Sequence, residues 1–154
     1  MAEIRNPDFR SAAAAIFTEA NFIADLGIEP LTIDHGRVAA RLTVLSRHLQ
    51  HSGVIHAGVQ MTLADHTAGA AGHTVIGAEQ MVLTCGFTVQ LLAPAVGEEL
   101  LARAEILRGG RRLVYAETSV FTWQNGRERL VSRAQVTLAV LTRPPQSPLP
   151  QTRV

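Results

Sequence analysis

Between Gln50 and Gly72 the chain reads QHSGVIHAGVQMTLADHTAGAAG, a run of helical spacing almost without large side chains. At about 100° per residue, Gly58, Thr62, Asp65, Gly69 and Gly72 fall on one narrow stripe. Apart from Asp65 the stripe is small, so another backbone or a ligand must come close to that face. Asp65 is out of place there for packing, because an unpaired buried charge is expensive. It is either a solvated acid on an exposed face or an acid put there for chemistry. The Gly53 turn, His56 and the helix start at Ala57 lie just ahead of it and favour the second reading.

The remaining chain gives this helix something to lie against. Asn6 or Asp8 is a candidate cap for a first helix, with Ala12, Ala15, Ile16, Glu19, Phe22 and Ile23 as a rough apolar stripe ending by Gly27. Leu31–Asp34 and Val38–Leu45 read as a hairpin around His35-Gly36, with Val38, Ala40, Leu42 and Val44 on one face. Arg47–Ile55 is a polar loop, and Ala57–Val75 the central helix. Val82–Leu92 alternates as a strand, placing Cys85, Phe87, Val89 and Leu91 opposite Thr84, Thr88 and Gln90. Leu100–Leu107, Arg112–Trp123 and Arg127–Leu141 follow as further strands, the last two joined by the hairpin signal Asn125-Gly126. An early hairpin, one thin helix and a three-stranded meander predict an α+β fold, a single antiparallel sheet wrapped around the helix. Residues 1–142 read as one domain with an N-terminal helix. Residues 143–154, with Pro144, Pro145, Pro148 and Pro150, read as a disordered tail.

A length of 154 residues suits one domain with a core, and 47% hydrophobic with 18% charged residues excludes disorder. A net charge of +1 gives no bulk attraction to nucleic acid. Cys85, the single cysteine, excludes an intrachain disulfide framework and fits a reducing compartment. The apolar patch Ala12–Phe17 is short, lacks a basic run before it and does not read as a signal peptide. No stretch approaches the ~18–20 apolar residues of a membrane span. A cytoplasmic protein without membrane or nucleic-acid partners is the expectation.

The layout, with HAGVQMTLAD in its middle, resembles the hotdog-fold acyl-CoA thioesterases of the phenylacetic-acid-degradation (PaaI-type) family, over nearly everything from Leu31 to Leu141. The resemblance rests on the turn Gly53, His56, Ala57, Gly58, on Leu63-Ala64-Asp65, on Leu92 and Pro94 closing the next strand, and on Gly110-Arg111-Arg112. It implies that Asp65 is the catalytic carboxylate, as nucleophile or as general base on water. It also implies that the Ala57 amide binds the thioester carbonyl oxygen and that Thr84 helps hold the water. Many members carry Asn and Gly where this chain has Gln50 and Ala57. Gln50 keeps the amide, as in the hydroxybenzoyl-CoA branch, and Ala57 keeps its N–H. The acyl-CoA is the expected partner, with CoA as part of the substrate and no separate cofactor. The expected assembly is at least a homodimer, with a homotetramer beyond it.

The residues support that chemistry on their own terms. Thioester hydrolysis needs a positioned carboxylate and a donor for the developing oxyanion, and a helix N-terminus supplies unpaired N–H groups and a partial positive charge. Asp65 lies eight residues beyond Ala57, an axial rise of about 12 Å, so the two cannot meet at one carbon within a single straight helix. Antiparallel helices from two chains bring them together. His56 either fixes the turn by bonding local backbone or polarises the carbonyl. Arg108, Arg111 and Arg112 around the Gly-Gly turn are either solvated or ligands of the CoA phosphates. His48, His51, His66 and His73 form no metal-ligand pattern on one element, and Cys85 reads as a small strand hydrophobe. Two other activities fit the same layout: a domain that binds acyl-CoA without turnover, against which Asp65 argues, and a dehydratase or hydratase, whose motifs are not found here.

Overall fold

The computed structural model describes residues 4–144. In chain order it contains α1 (Phe9–Glu19), α2 (Asn21–Leu26), β1 (Ile28–Asp34), β2 (Arg37–Thr43) and a 3-10 turn (Ser46–His48). There follow α3 (Ala57–His73), β3 (Gln80–Leu91), β4 (Glu99–Gly109), β5 (Leu113–Gln124) and β6 (Arg127–Thr142). All strand pairs are antiparallel, in the order β1-β2-β4-β5-β6-β3. The sheet packs against α3 from β2 through to β3, which is the expected hotdog arrangement. The tail expected from 143 onward lies, beyond Pro144, outside the described residues.

Small side chains let the sheet close on α3. Ala64, Ala68, Ala70 and Ala71 are completely buried, together with Leu63. At Gly72 a Cβ would meet Leu138 Cδ1 at 2.6 Å and Val82 Cγ2 at 3.3 Å, so β6 and β3 press directly on the helix backbone. On the sheet, Val38, Ala40, Leu42, Leu100, Ala102, Val114, Ala116, Val136 and Leu138 are buried and complete the core by strand alternation. The opposite face of the sheet carries cross-strand ion pairs instead, Arg37 to Glu105 at 2.7 Å and Arg133 to Glu117 at 3.1 Å. These are solvent-exposed and contribute little to stability.

The structure adds to or changes these expectations at three points. The N-terminal helix is two helices, broken at Ala20, whose backbone is extended (φ −86°, ψ 100°). The break turns the chain, so Phe9, Ala13, Phe17 and Ile23 are buried while Phe22, placed by periodicity on the buried stripe, is 63% exposed. Second, the neighbour of β3, which alternation does not specify, is β6 at the sheet edge, and the expected three-stranded meander is β4, β5 and β6. Third, β3 carries a bulge between Thr84 and Gly86, which shifts the alternation by one residue. Thr84 therefore lies on the same side as Phe87, Val89 and Leu91 rather than opposite them: it bonds α3, Phe87 and Leu91 line cavities shared with α3, and Val89 packs against the core. The hairpin signals hold, with Gly36 at φ 78° and Asn125 and Gly126 at φ 50° and 74°.

Gly72→Val should lower the unfolding free energy by ~1–3 kcal/mol, because Leu138 is fully enclosed and overpacking forces it off its rotamer. Urea unfolding measures this, and an unchanged midpoint would mean that the helix does not lie so close to the sheet.

Candidate functional site

Asp65 projects from the middle of α3 on the side the sheet leaves partly open. The Thr84 hydroxyl donates to Asp65 Oδ1 at 2.8 Å, across from β3. The bulge makes this contact possible, since it bends β3 just where Thr84 must face the helix. Burial raises the Asp65 pKa from its ordinary value, and the Thr84 bond opposes that rise in part. The acid is thus positioned by one donor, with its second oxygen left for other partners. Beside it lies a cavity of about 410 Å³ walled by Ala20, Phe22 and Ile23 of the N-terminal helices, Met61 and His66 of α3, and Phe87 of β3.

The start of α3 makes a different place. His56 is the N-cap, and its Nδ1 accepts from the Gly58 N–H at 2.9 Å. This is the local backbone role, and it leaves the ring proton of the neutral side chain on Nε2. Ala57, the first helical residue, has an N–H that takes no partner among the described residues. The loop before it is held by backbone bonds from His56 N–H to His48 O and from Ile55 N–H to Ala95 O, each 2.9 Å. Gln50 donates through Nε2 to Ser52 Oγ at 2.6 Å. Gln50 and Ala57 share a cavity of about 520 Å³ with Leu91, Leu92, Pro94 and Gln60.

Asp65 and Ala57 therefore line separate cavities with no residue in common. Within one chain the structure joins Asp65 to Thr84, and Ala57 to Gln50 and His56, but does not bring the two groups together. Arg108 lies at the end of β4, past a bulge, and Arg111 and Arg112 lie in the following turn; all three are exposed. They sit at the end of α3 remote from Ala57, where Arg108 shares a cavity with Val75. Strand register pairs Val114 with Leu138 and Leu138 with Thr84. Arg112 is thus about 10 Å across the sheet and about 7 Å along it from Thr84.

Sequence reasoning missed several residues. Gln60 is buried one turn after Ala57, and its Oε1 has no partner among the described residues. Met61, Phe87 and Phe22 surround Asp65, and only the N-terminal helix break and the β3 bulge bring the two phenylalanines there. His66 stacks edge-on against Phe17 at 4.8 Å, and burial lowers its pKa to about 4. His48 is fully buried, its Nδ1 accepting from the Leu45 N–H at 2.9 Å. Cys85 is exposed on the bulge instead of being the buried hydrophobe expected.

The thioesterase superfamily model matches residues 52–128, and the chain belongs to that superfamily. It is 30% identical to a thioesterase family protein from Silicibacter pomeroyi, whose crystal structure superposes with a TM-score of 0.85 over 87% of this chain and 98% of that one. It is 25% identical to the 1,4-dihydroxy-2-naphthoyl-CoA hydrolase of Listeria monocytogenes, over 75% of this chain and 91% of that protein. The PaaI protein of the Escherichia coli phenylacetic acid degradation operon shares the fold at 18% identity, with a TM-score of 0.79 over 90% of this chain and 97% of that one.

The folded pKa of Asp65 lies above its unfolded value. Its contribution to stability is therefore fully present below the unfolded pKa, about 4, and is lost as pH rises through the folded pKa. Asp65→Asn removes this loss and keeps the acceptor for Thr84. Its gain in unfolding free energy over the parent protein should be larger at pH 7 than at pH 3. A gain independent of pH would contradict a desolvated carboxylate.

Proposed function

We propose that the protein is an acyl-CoA thioesterase that hydrolyses an acyl- or aryl-acyl-CoA to the free acid and CoA, at a site shared by two copies of the chain. One observation carries the reading: α3 displays a half-buried acid and a free N-terminal amide in two different cavities, about 12 Å apart along the axis. A second copy related by a two-fold axis, the commonest oligomer symmetry, sets each Asp65 against the other chain's Ala57. The unpaired edge of β3 supports such a copy, because Leu83, Phe87 and Leu91 are about half exposed along a twelve-residue strand. An open apolar edge of that length is a template for pairing with another strand.

In the assembled site the thioester oxygen takes the Ala57 N–H, where the helix dipole favours negative charge. Asp65, its basicity raised by burial, acts on the carbonyl carbon either by drawing a proton from an attacking water or by direct attack. Thr84 fixes which oxygen of the carboxylate is free. In the water route, oxygen adds to carbon, the C–S bond breaks as the oxyanion collapses, and the thiolate leaves with the proton that Asp65 held. Gln50 and His56 shape the oxyanion turn. Arg108, Arg111 and Arg112 take the CoA phosphates, for which guanidinium forks are suited. The naphthoyl-CoA hydrolase name of one relative supports a CoA thioester as substrate.

Two substitutions test the two halves of the chemistry. Asp65→Asn should lower hydrolysis by at least ~10² with the fold retained. Ala57→Pro deletes the amide proton at the one helical position where Pro is favoured, after a residue already extended at φ −59°, ψ 138°. It should cost ~10²–10³ in kcat. Thiol release from a panel of acyl-CoAs, with circular dichroism as the fold control, measures both. Near-normal turnover in folded Asp65→Asn protein would overturn the proposal.

Changing Arg111 and Arg112 together to Gln should raise KM for an acyl-CoA but not for the same acyl group on a short thiol. Equal effects on both substrates would assign these arginines to solvent.

A further inference from the structure

The cavity that holds Asp65 is apolar on nearly every other side, and one of its walls stands out. Phe22 lies on α2, a helix of six residues between the extended Ala20 and Gly27 at φ 79°. Ile23 anchors α2 by being buried, and its neighbour Phe22, rotated by about 100°, is left with its ring on the cavity at 63% exposure. A ring so exposed does little for the core. It does face Met61 and the half-exposed Phe87 across a space of about 410 Å³ beside the carboxylate.

Two hydroxyls at this wall are bonded within the chain, and the buried His66 Nε2 has no partner among the described residues. The Thr62 hydroxyl donates to Gly58 O at 2.8 Å, and the Thr84 hydroxyl to Asp65. His66 is neutral at working pH because burial lowers its pKa to about 4. Among the described residues of one chain, Asp65 is the one charge in the lining, and no cation there meets a second carboxylate. An acyl group ending in a carboxylate would bring an unpaired charge of like sign into a desolvated space. The volume falls in the lower part of the range for ligand pockets, ~300–1,000 Å³, and exceeds what an acetyl group fills.

We infer that Phe22 is a specificity-determining residue which, with Met61 and Phe87, selects an uncharged hydrocarbon acyl group, aryl or alkyl, and rejects acyl groups bearing a carboxylate. This rests on the thioesterase reading above, and deepens it by naming the acyl class. The two-helix N-terminus then has a function: it carries a wall of the acyl site.

Benzoyl-CoA, acetyl-CoA and succinyl-CoA are compared on the full chain as kcat/KM, for the parent protein and for Phe22→Ala, Phe22→Leu and Phe22→Arg, with sedimentation to follow assembly. The parent should prefer benzoyl-CoA to both others. Phe22→Ala should reduce the benzoyl-to-acetyl ratio by at least ~10-fold, the scale of apolar pocket contacts, and Phe22→Leu should fall between. Phe22→Arg should raise the succinyl-to-benzoyl ratio by supplying the missing cation. Loss of the same factor on all three substrates in Phe22→Ala, or a change in assembly mass accompanying it, would overturn the inference and leave the thioesterase reading standing. A parent preference for succinyl-CoA would do the same. A parent protein that hydrolyses none of the three at a rate above that of Asp65→Asn would overturn both.

Discussion

The close approach of α3 to the sheet is the constraint from which the other features follow. Gly72 shows it most directly, with Leu138 and Val82 resting where a side chain would be. The buried alanines extend the same contact along the helix. A helix held that tightly has little freedom to rotate, so its remaining face is fixed. On that face a Cβ at Gly69 would meet nothing within 4 Å, and Asp65 is only partly enclosed. The small-residue stripe thus divides into a part pressed on the sheet and a part left open around the acid. The open part gives the carboxylate both its accessibility and its raised pKa.

The helix and its acid were legible because they depend on local rules. Helical spacing, the turn before Ala57, the hairpin at His35-Gly36 and the Asn125-Gly126 turn are set within a few residues of one another. The pairing of β3 with β6 was not legible, since alternation tells which face of a strand is buried and never which strand lies beside it. The bulge at Thr84 is similar: one extra residue leaves no mark in composition, yet it reverses the side on which Thr84 lies relative to Phe87. The break at Ala20 also escaped, because alanine favours helix and tertiary packing of Ile23 overrides it.

The same division applies to the candidate site. Asp65, Ala57, His56, Gln50 and Thr84 were picked out by chemistry and spacing, and the structure places them in two groups on one helix and its neighbours. Phe22, Met61 and Phe87 carry no chemical signature and were found only through the cavity they share with Asp65. Gln60, buried with a free acceptor beside the helix start, belongs with them. Residues that react can be read from a sequence by type, whereas residues that shape a pocket acquire their role from elements distant in the chain.

In the proposed dimer one chain supplies the acid and the other the oxyanion donor. Mixing Asp65→Asn protein with Ala57→Pro protein tests it most directly. Subunit exchange, followed by mass-tagged chains, creates mixed dimers with one doubly altered site and one site that has both Asp65 and the Ala57 amide. Hydrolysis of an acyl-CoA should reappear as exchange proceeds, toward a quarter of the parent rate per chain at equal mixing. Confirmed exchange with no recovered activity would show that each site is made within one chain.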